Sequence, residues 1–250
     1  NWKTYVGQKA LIHPLVYAGN KGIRMDIAGM VTAAKECAQR IEELQAELNK
    51  VCGVELNVNS SQQMQKYFYV DKRLRAHTKD GRITVDDKAL KAIALKGFKE
   101  ADLILRIRHE RKMLSTYYEM RLDSDNRLRC SFNPVGTAQG RISSSRTIRG
   151  TGANQQNQPS DMQKLMLADP GHILVNQDLA QAENRVVAYI SGEERMISAF
   201  ARGVDIHRQT ASLIYNVAID EVTEELRDGG KRANHGLNYD EGYLNFALLN

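Results

Sequence analysis

One long amphipathic segment in the first quarter of the chain constrains the fold more than any other feature. Between Ile27 and Val51 apolar residues recur every three or four positions, which places them on one stripe of a helix. The stripe consists of Met30, Ala33, Ala34, Cys37, Ile41, Leu44 and Leu48. Gly53 follows the stripe and predicts the end of the helix. The pattern therefore predicts one continuous helix in a mostly helical first part of the chain.

Other segments before residue 127 carry cap and turn signals of their own. Ser, Asn and Asp favour the N-cap of a helix because their side-chain oxygens accept hydrogen bonds from its first N–H groups. The predicted elements are a short helix from its cap at Asn59–Ser61 to Tyr67, a polar loop from His77 to Thr84, a helix from Asp86 or Asp87 to about Phe98, and a long helix from Glu100 to Leu122 that ends in the turn Asp123–Asn126.

The character of the sequence changes after that turn. Leu128 to Asn133 alternates like a strand, and Ile173 to Asp178 is an apolar run that predicts a buried strand ending on a carboxylate. Three helical patterns close the chain: Glu183–Ser191, Glu193–Ile214 with a break near Gly203, and Thr223 onward. The chain is therefore predicted to be of the α+β class.

Composition excludes some functional classes. The 250 residues are 42% hydrophobic with a net charge of +5, which suits a globular protein and permits a phosphate-rich partner without requiring one. No apolar run predicts a membrane span, and the N-terminal sequence does not resemble a signal peptide. Cys37, Cys52 and Cys130 form no CxxC pair, which favours a reducing, cytoplasmic compartment over a disulfide frame or a zinc site.

Asp178 is the first candidate for chemistry. A carboxylate at the end of a strand, directly before a helix, is well placed to hold a divalent cation, because hard cations prefer oxygen ligands. Glu183 and Arg185 lie near the start of the helix that follows. The same residues also fit an ordinary helix start with an N-cap Asp and an acidic first turn. This segment alone favours the ordinary helix start.

A second candidate is the basic helical pattern near the end of the chain. Arg227, Lys231 and Asn234 share one face, and two cations one turn apart can clamp a triphosphate, although basic helix faces are commonly only solvated. Gly229 and Gly230 weaken such a helix by about 1 kcal/mol each relative to Ala. A close neighbour or a mobile element would explain why they are tolerated.

A third candidate is the segment Gly136–Gln158, which is rich in Gly, Ser, Thr, Asn and Gln. Its neutral donors and exposed backbone, together with Arg141, Arg146 and Arg149, suit contacts to phosphates and minor-groove acceptors. The alternative interpretation is a flexible surface loop.

The order of these segments resembles that of DNA polymerase family A. Members of that family carry TATGRLSSS, NLQNIP, DYSQIELR, DIHxxTA and RRxAKxxNFGxxYG in this order. The matching segments are TAQGRISSS at Thr137–Ser145, NQQNQP at Asn154–Pro159, DLAQAENR at Asp178–Arg185, DIHRQTA at Asp205–Ala211 and RDGGKRANHGLNYDEG at Arg227–Gly242. Upstream, GIRMD, ELNVNSSQQM and RKMLSTY resemble the thumb of the family. The resemblance covers nearly the whole chain.

The resemblance implies an incomplete right-hand polymerase. Its parts would be a helical thumb and approach to the palm at residues 1–127, the start of an antiparallel-sheet palm at 128–192, and helical fingers at 193–250. Primer–template DNA and deoxynucleoside triphosphates are the implied partners, and a pair of Mg²⁺ ions is the implied cofactor. No membrane association is expected.

The resemblance also implies roles at the reaction centre. Asp178 is similar to the first palm aspartate that holds the Mg²⁺ pair, with the backbone carbonyl of Leu179 as a further ligand. Glu183 resembles the steric gate that excludes a ribose 2′-hydroxyl. The residues similar to the triphosphate clamp are His207, Arg227 and Lys231, with Lys231 as the proton donor to pyrophosphate.

Base and duplex contacts follow from the same comparison. Tyr239 resembles the tyrosine that stacks where the templating base enters, and His235 stands where the family has Phe or Tyr under the incoming sugar. The residues that resemble contacts to DNA are Ser115, Thr116, Arg141, Asn154, Gln156 and Asn157.

Several positions depart from the family pattern. Leu179, Ala180 and Asn184 replace Tyr, Ser and Leu in the first polymerase motif. Asp228 replaces an Arg and Asp240 replaces a Gly in the last. These departures concern nucleotide selectivity and closure of the fingers more than the type of reaction.

One family motif has no match. A His-Asp-Glu hairpin would supply the second metal-binding aspartate, and nothing here corresponds to it, since Asp240-Glu241 lies inside the last motif. A two-metal site with one carboxylate donor is incomplete. We therefore expect a fragment, or one half of a split polymerase whose remaining palm is carried by a second chain. The chain also lacks an initial Met and any Asp-x-Glu exonuclease signature.

Two other functions compete with DNA synthesis. A single-subunit RNA polymerase shares the palm aspartate but is expected to have a small residue at the position of Glu183. A duplex-DNA-binding module without catalysis is consistent with the missing motif, whereas Asp178, Arg227 and Lys231 together favour an enzyme. A His-Asp-Glu hairpin encoded downstream would decide between a DNA polymerase and a duplex-binding module without catalysis.

Overall fold

The computed structural model describes residues 2–242 and residue 246. The chain divides into two compact units, residues Asn1–Val175 and Asn176–Asn250. Within the described residues, helices and small antiparallel sheets make up the fold, which confirms the α+β class. The division into thumb, palm and fingers stays a prediction, and the fingers segment includes residues 243–245 and 247–250, which lie outside the described part.

The first unit is mostly helical before residue 120. Its helices are α1 (Trp2–Lys21), α2 (Ile27–Cys52), α3 (Ser61–Gln65), α4 (Asp87–Ala94), α5 (Lys99–Lys112) and α6 (Ser160–Gln163). Two π-helical segments, Lys66–Asp71 and Met113–Tyr118, continue α3 and α5. The helix predicted to reach Leu122 therefore ends its α-helical part at Lys112, because the backbone widens to i→i−5 hydrogen bonds such as Glu119 N–H to Leu114 O.

Helix α2 has the boundaries that its pattern predicts. The Asp26 carboxylate accepts the Gly29 N–H at 3.0 Å, and Gly53 closes the helix in the left-handed conformation with a φ of 69°. On the predicted stripe Met30, Cys37, Leu44 and Leu48 are buried. Leu44 and Leu48 pack with Ala101, Leu103, Ile104 and Ile107 of α5, whereas Met30 and Cys37 pack in a second cluster with Met113 and Tyr118. This α2–α5 contact forms the main core of the first unit.

Three small antiparallel sheets complete the first unit. Strand β1 (Ile23–Met25) lies between β4 (Arg127–Leu128) and β7 (Met166–Leu167), while β2 (His77–Lys79) pairs with β3 (Arg82–Thr84), and β5 (Ser131–Asn133) pairs with β6 (Ser143–Ser145). The strand predicted from Leu128 to Asn133 is interrupted at residues 129–130.

The loop predicted at His77–Thr84 is wrong, because this segment is the β2–β3 hairpin. Asp80 and Gly81 have φ values of 50° and 74°, and positive values at both central residues are typical of a type I′ turn. An Asp-Gly pair is a strong hairpin signal, so the polar composition alone was misleading.

The second unit contains four α-helices among its described residues. They are α7 (Ala182–Ser191), α8 (Glu194–Ala201), α9 (Ile206–Tyr215) and α10 (Glu224–Asn238). The predicted break near Gly203 is confirmed, and Gly203 has a φ of 71°. Ala188, Ala199, Phe200 and Ile206 form its small apolar core. Among the described residues, no helix is both long and apolar enough to cross a membrane.

Candidate active site

Asp178 does not lie at the end of a strand. The segment predicted as the buried strand Ile173–Asp178 has no regular secondary structure, and Ile173 and Val175 are 83% and 77% exposed. A strand needs a partner for its backbone N–H and C=O groups, and no strand of the described residues pairs with this segment. The prediction of a buried strand was therefore wrong, and Asp178 is an exposed carboxylate before α7.

Glu183 lies in the first turn of α7 and interacts with the end of α10. The hydroxyl of Tyr239 donates a hydrogen bond to Glu183 Oε2 at 3.4 Å, and Nδ1 of His235 lies 3.8 Å from the same oxygen. Three residues that the sequence places in two separate motifs therefore meet at one carboxylate. The carboxylate and both partners are partly exposed, which leaves them accessible to a ligand.

Helices α9 and α10 pack unusually closely because of the glycine pair in α10. A Cβ on Gly230 would overlap the backbone carbonyl of His207 and lie 2.8 Å from the Ala211 nitrogen. A Cβ on Gly229 would overlap the hydroxyl of Tyr215 and lie 3.1 Å from its Cζ. The two glycines are therefore explained by a close neighbour, helix α9.

Asp205 caps α9 and holds Arg227. Its Oδ1 accepts the N–H groups of His207 at 2.9 Å and Arg208 at 3.3 Å, and its Oδ2 accepts Nε of Arg227 at 2.7 Å. Burial opposes ionisation of this carboxyl, but these hydrogen bonds outweigh burial and hold the pKa of Asp205 below its ordinary value. The bond to Asp205 in turn raises the pKa of Arg227. The guanidinium is thereby fixed beside the start of α9.

His207 is a buried histidine with a defined tautomer. Thr210 donates to Asn234 Oδ1 at 3.1 Å, which turns Asn234 Nδ2 towards His207 Nδ1, also at 3.1 Å. Because an amide nitrogen only donates, Nδ1 is the acceptor and the neutral ring carries its proton on Nε2. Burial lowers the pKa of His207, and the positive charges of Arg227 and Lys231 act in the same direction, against Asp205.

These contacts bring the residues of the predicted triphosphate clamp into one cluster on α9 and α10. Arg227 and Lys231 lie one turn apart on α10, and the rings of His207 and His235 lie 5.8 Å apart. Two cations on one helix, beside two imidazole rings, are suited to an anion with several charged oxygens. Among the described residues no group of three His, Cys, Asp or Glu side chains is arranged to hold a metal ion.

Sequence reasoning missed the residues that position this cluster. The motif comparison gives Asp205 no role, although an Asp directly before a helical pattern is an N-cap signal. Thr210 and the pairing of Asn184 with Asn238 gave no such signal, because they depend on contacts between helices.

In the first unit, Ser115 and Thr116 lie on the second π-helical segment. Ser115 donates to the Arg111 carbonyl at 2.9 Å, and the neighbouring Tyr117 donates to the Asn157 carbonyl at 3.3 Å. Tyr117 thus joins this segment to the 3₁₀ turn Gln155–Asn157. The predicted DNA contacts Ser115 and Thr116 therefore lie in the same region as the predicted contact Asn157.

The polar loop around Asn154 is ordered by its own side chains. Asn154 Oδ1 accepts the Ser144 hydroxyl at 2.6 Å and the Gln156 N–H at 2.9 Å, while Gln156 Nε2 donates to the Ile142 carbonyl at 2.8 Å. Arg141 and Asn157 are exposed. The amides at 154 and 156 therefore shape the loop in this structure, whereas Arg141 and Asn157 present side chains to solvent.

Comparison with known proteins identifies relatives for almost the whole chain. The model of DNA polymerase family A matches residues 28–248. DNA polymerase I of Caldicellulosiruptor bescii is 33% identical over 239 residues, covering 90% of this chain and 27% of that protein. The thermostable DNA polymerase I of Thermus aquaticus is 31% identical over 246 residues, covering 93% of this chain and 29% of that protein. The chain thus spans less than a third of these relatives.

A solved structure agrees with these matches. The POL domain of Pol1 from M. smegmatis, in complex with DNA primer-template and dNTP, superposes with a TM-score of 0.75 at 26% identity. The match covers 91% of this chain and 41% of that domain.

Replacing a helical glycine by alanine should have different effects on stability at Gly230, where α9 and α10 approach closely, and at Gly7, where no neighbour is close. Gly230→Ala should destabilise the second unit, because the new methyl group overlaps the His207 carbonyl. Gly7→Ala in α1 is the matched control, since nothing lies within 4 Å of its Cβ position. It should be neutral or stabilising by up to about 1 kcal/mol. Amide hydrogen exchange measures both effects, in α9 and α10 for Gly230→Ala and in α1 for Gly7→Ala. Unchanged protection of α9 and α10 in Gly230→Ala would contradict the packing argument.

The buried His207 predicts a pH-dependent stability of the second unit. Its pKa is lowered in the folded state, so the unfolded chain binds the proton more readily, and stability falls as the pH drops through about 6.5. His207→Gln should flatten this dependence, whereas His172→Gln, at an exposed position, should preserve it. The measurement is hydrogen exchange in α9 and α10 between about pH 7.5 and pH 5.5, corrected for intrinsic rates. Equal slopes in wild type and His207→Gln would refute the assignment.

Proposed function

We propose that this chain, which belongs to DNA polymerase family A, takes part in template-directed DNA synthesis by adding deoxynucleoside triphosphates to a primer 3′-hydroxyl. The observation that carries the proposal is the cluster of Arg227, Lys231, His207 and His235 beside the Glu183 carboxylate. It offers positive charge for a triphosphate and an acidic side chain near the sugar in the same unit.

The clamp would act mainly by charge and orientation. Arg227 and Lys231 lie one turn apart on α10, and the neutral His207 would offer its Nε2 proton to a phosphate oxygen. Phosphoryl transfer requires stabilisation of charge that builds up on the phosphate oxygens, which fixed cations supply without reorganisation. Lys231, exposed on α10, would donate a proton to the departing pyrophosphate.

Asp178 and the carbonyl of Leu179 would hold Mg²⁺. Both donors are hard oxygens in an exposed segment, so their chemistry fits the ion. Bound Mg²⁺ would lower the pKa of the primer hydroxyl and offset charge on the triphosphate. A second carboxylate is still required for a two-metal site. We propose that it comes from palm residues other than the described ones, in the same polymerase or in a second chain.

Glu183 would serve as the gate against ribonucleotides. Its contacts with Tyr239 and His235 hold the carboxylate at one place between α7 and α10. A ribose 2′-hydroxyl entering there would meet the Glu183 carboxylate. His235 would flank the sugar, and Tyr239 would lie where the templating base enters.

Primer–template DNA would lie against the first unit. Arg141 and Asn157 are exposed, and Ser115 and Thr116 lie beside the Tyr117–Asn157 bond. Asn154 and Gln156 would contribute by shaping that surface. The M. smegmatis domain was solved with primer-template and dNTP, which supports both partners. Such contacts to phosphates carry affinity rather than sequence preference.

A duplex-binding module without catalysis is the second candidate. It would require only the predicted DNA-contact surface of the first unit, where Arg141 and Asn157 are exposed. The two functions differ in nucleotide addition, which the next experiment measures.

Replacing Asp178 should separate catalysis from binding. In the active polymerase, Asp178→Ala should abolish nucleotide addition because it removes a metal ligand, while duplex affinity should change little because the phosphate contacts lie elsewhere. Asp220→Ala, at another exposed aspartate, is the control. Primer extension and salt-dependent duplex binding are the two measurements. Extension by Asp178→Ala within tenfold of wild type would eliminate Asp178 as a ligand.

Replacing Glu183 and His235 should change sugar selection in opposite directions. Glu183→Ala should admit ribonucleotides, and His235→Phe should sharpen their exclusion because phenyl packs more firmly than imidazole on the sugar. A contact of this size is worth about 1–3 kcal/mol, or about 10–200-fold. The measurement is the ratio of kcat/KM for deoxy- over ribonucleotides, with Glu194→Ala as the control. An unchanged ratio in Glu183→Ala would show that the gate lies elsewhere.

A further inference from the structure

A buried amide pair joins α7 to α10 directly beside the proposed gate. Asn184 is 1% exposed, and its Oδ1 accepts Nδ2 of Asn238, the last residue of α10, at 2.6 Å. The adjacent residues are joined as well, since Tyr239 donates to Glu183. Two consecutive residues of α7 are therefore bonded to two consecutive residues at the end of α10.

Burying the Asn184 amide at this position lowers the stability of the folded state. Its Nδ2 is buried and has no hydrogen-bond partner within the described residues. A buried donor without a partner is destabilising, and replacing both members of a buried polar pair by apolar groups of similar shape is commonly neutral or stabilising. Packing alone therefore does not explain Asn184. A directional bond to Asn238, unlike an apolar contact, fixes the relative position of the two helices.

We propose that Asn184 and Asn238 are a positioning pair that sets the location of the Glu183 carboxylate and thereby the selection of the sugar. The pair fixes the end of α10 against the first turn of α7. Glu183 is then held within reach of the Tyr239 hydroxyl and His235 Nδ1. This inference rests on the proposed role of Glu183 as the gate.

Leucine substitutions separate positioning from stability. Asn184→Leu should be well tolerated, because Asn238 is exposed and its amide can bind water. Asn238→Leu should be the least stable variant, because both polar atoms of the buried Asn184 then lack a partner. The double variant should regain wild-type stability or exceed it. Hydrogen exchange in α7 and α10 measures these effects.

Sugar selection should follow a different pattern from stability. The ratio of kcat/KM for deoxy- over ribonucleotides in the active polymerase should fall at least about threefold in both single variants, and it should stay low in the stable double variant. Leu237→Ala, at a neighbouring residue that is 73% exposed, is the control and should keep the wild-type ratio. If Asn238→Leu does not fold, the ratio is compared among wild type, Asn184→Leu and the double variant.

The outcomes are distinguishable. A wild-type ratio in the double variant, or a ratio that tracks stability in all variants, would overturn the positioning role and leave the pair purely structural. Glu183→Ala is measured in parallel. If Glu183→Ala changes the ratio and the Asn variants do not, only the positioning role fails. If Glu183→Ala leaves the ratio unchanged, the gate itself fails.

Discussion

The packing of α10 against α9 in the second unit depends on two glycines, which have no side chain. Gly230 lets the backbone of α10 approach the backbone of α9, and Gly229 leaves room for the side chain of Tyr215. At that distance Asn234 reaches His207, and Arg227 reaches the Asp205 cap. Any larger residue at 230 would separate the helices and lengthen both bonds. The two glycines weaken α10 as a helix, but they permit the contacts that bring the residues of the proposed triphosphate clamp together.

Polar contacts across helices occur at two of the positions where this chain departs from the family pattern. Asn184 and His235 stand where relatives have Leu and an aromatic residue, and each makes a polar contact across helices. Directional hydrogen bonds allow a narrower range of side-chain positions than apolar packing does. Such a site also tolerates substitution less well, because each lost bond leaves a polar group unpaired.

The sequence predicted what depends on local pattern. The boundaries of α2, the caps at Ser60 and Asp86 and the break at Gly203 all follow from periodicity and cap chemistry. The strand at Ile173–Asp178 failed because an apolar run specifies burial only when a partner strand exists. The hairpin at His77–Thr84 failed because polar composition was given more weight than its Asp-Gly turn.

The candidate site divides in the same way. Motif order predicts which residues form the clamp and the gate, because each motif can be recognised within one segment of the chain, and these roles stay predictions. The groups that orient them were not predictable, because the Thr210–Asn234–His207 chain and the Asn184–Asn238 pair join segments 24 to 54 residues apart.

The π-helical segment Met113–Tyr118 has a consequence for comparing this chain with its relatives. An i→i−5 turn holds one more residue than an α-turn, so a helix can gain or lose a residue here without any loop changing length. An alignment gap within this helix would then mark a real difference in backbone winding. It would also shift Ser115, Thr116 and Tyr117 around the helix axis relative to their counterparts, although the flanking residues stay in step.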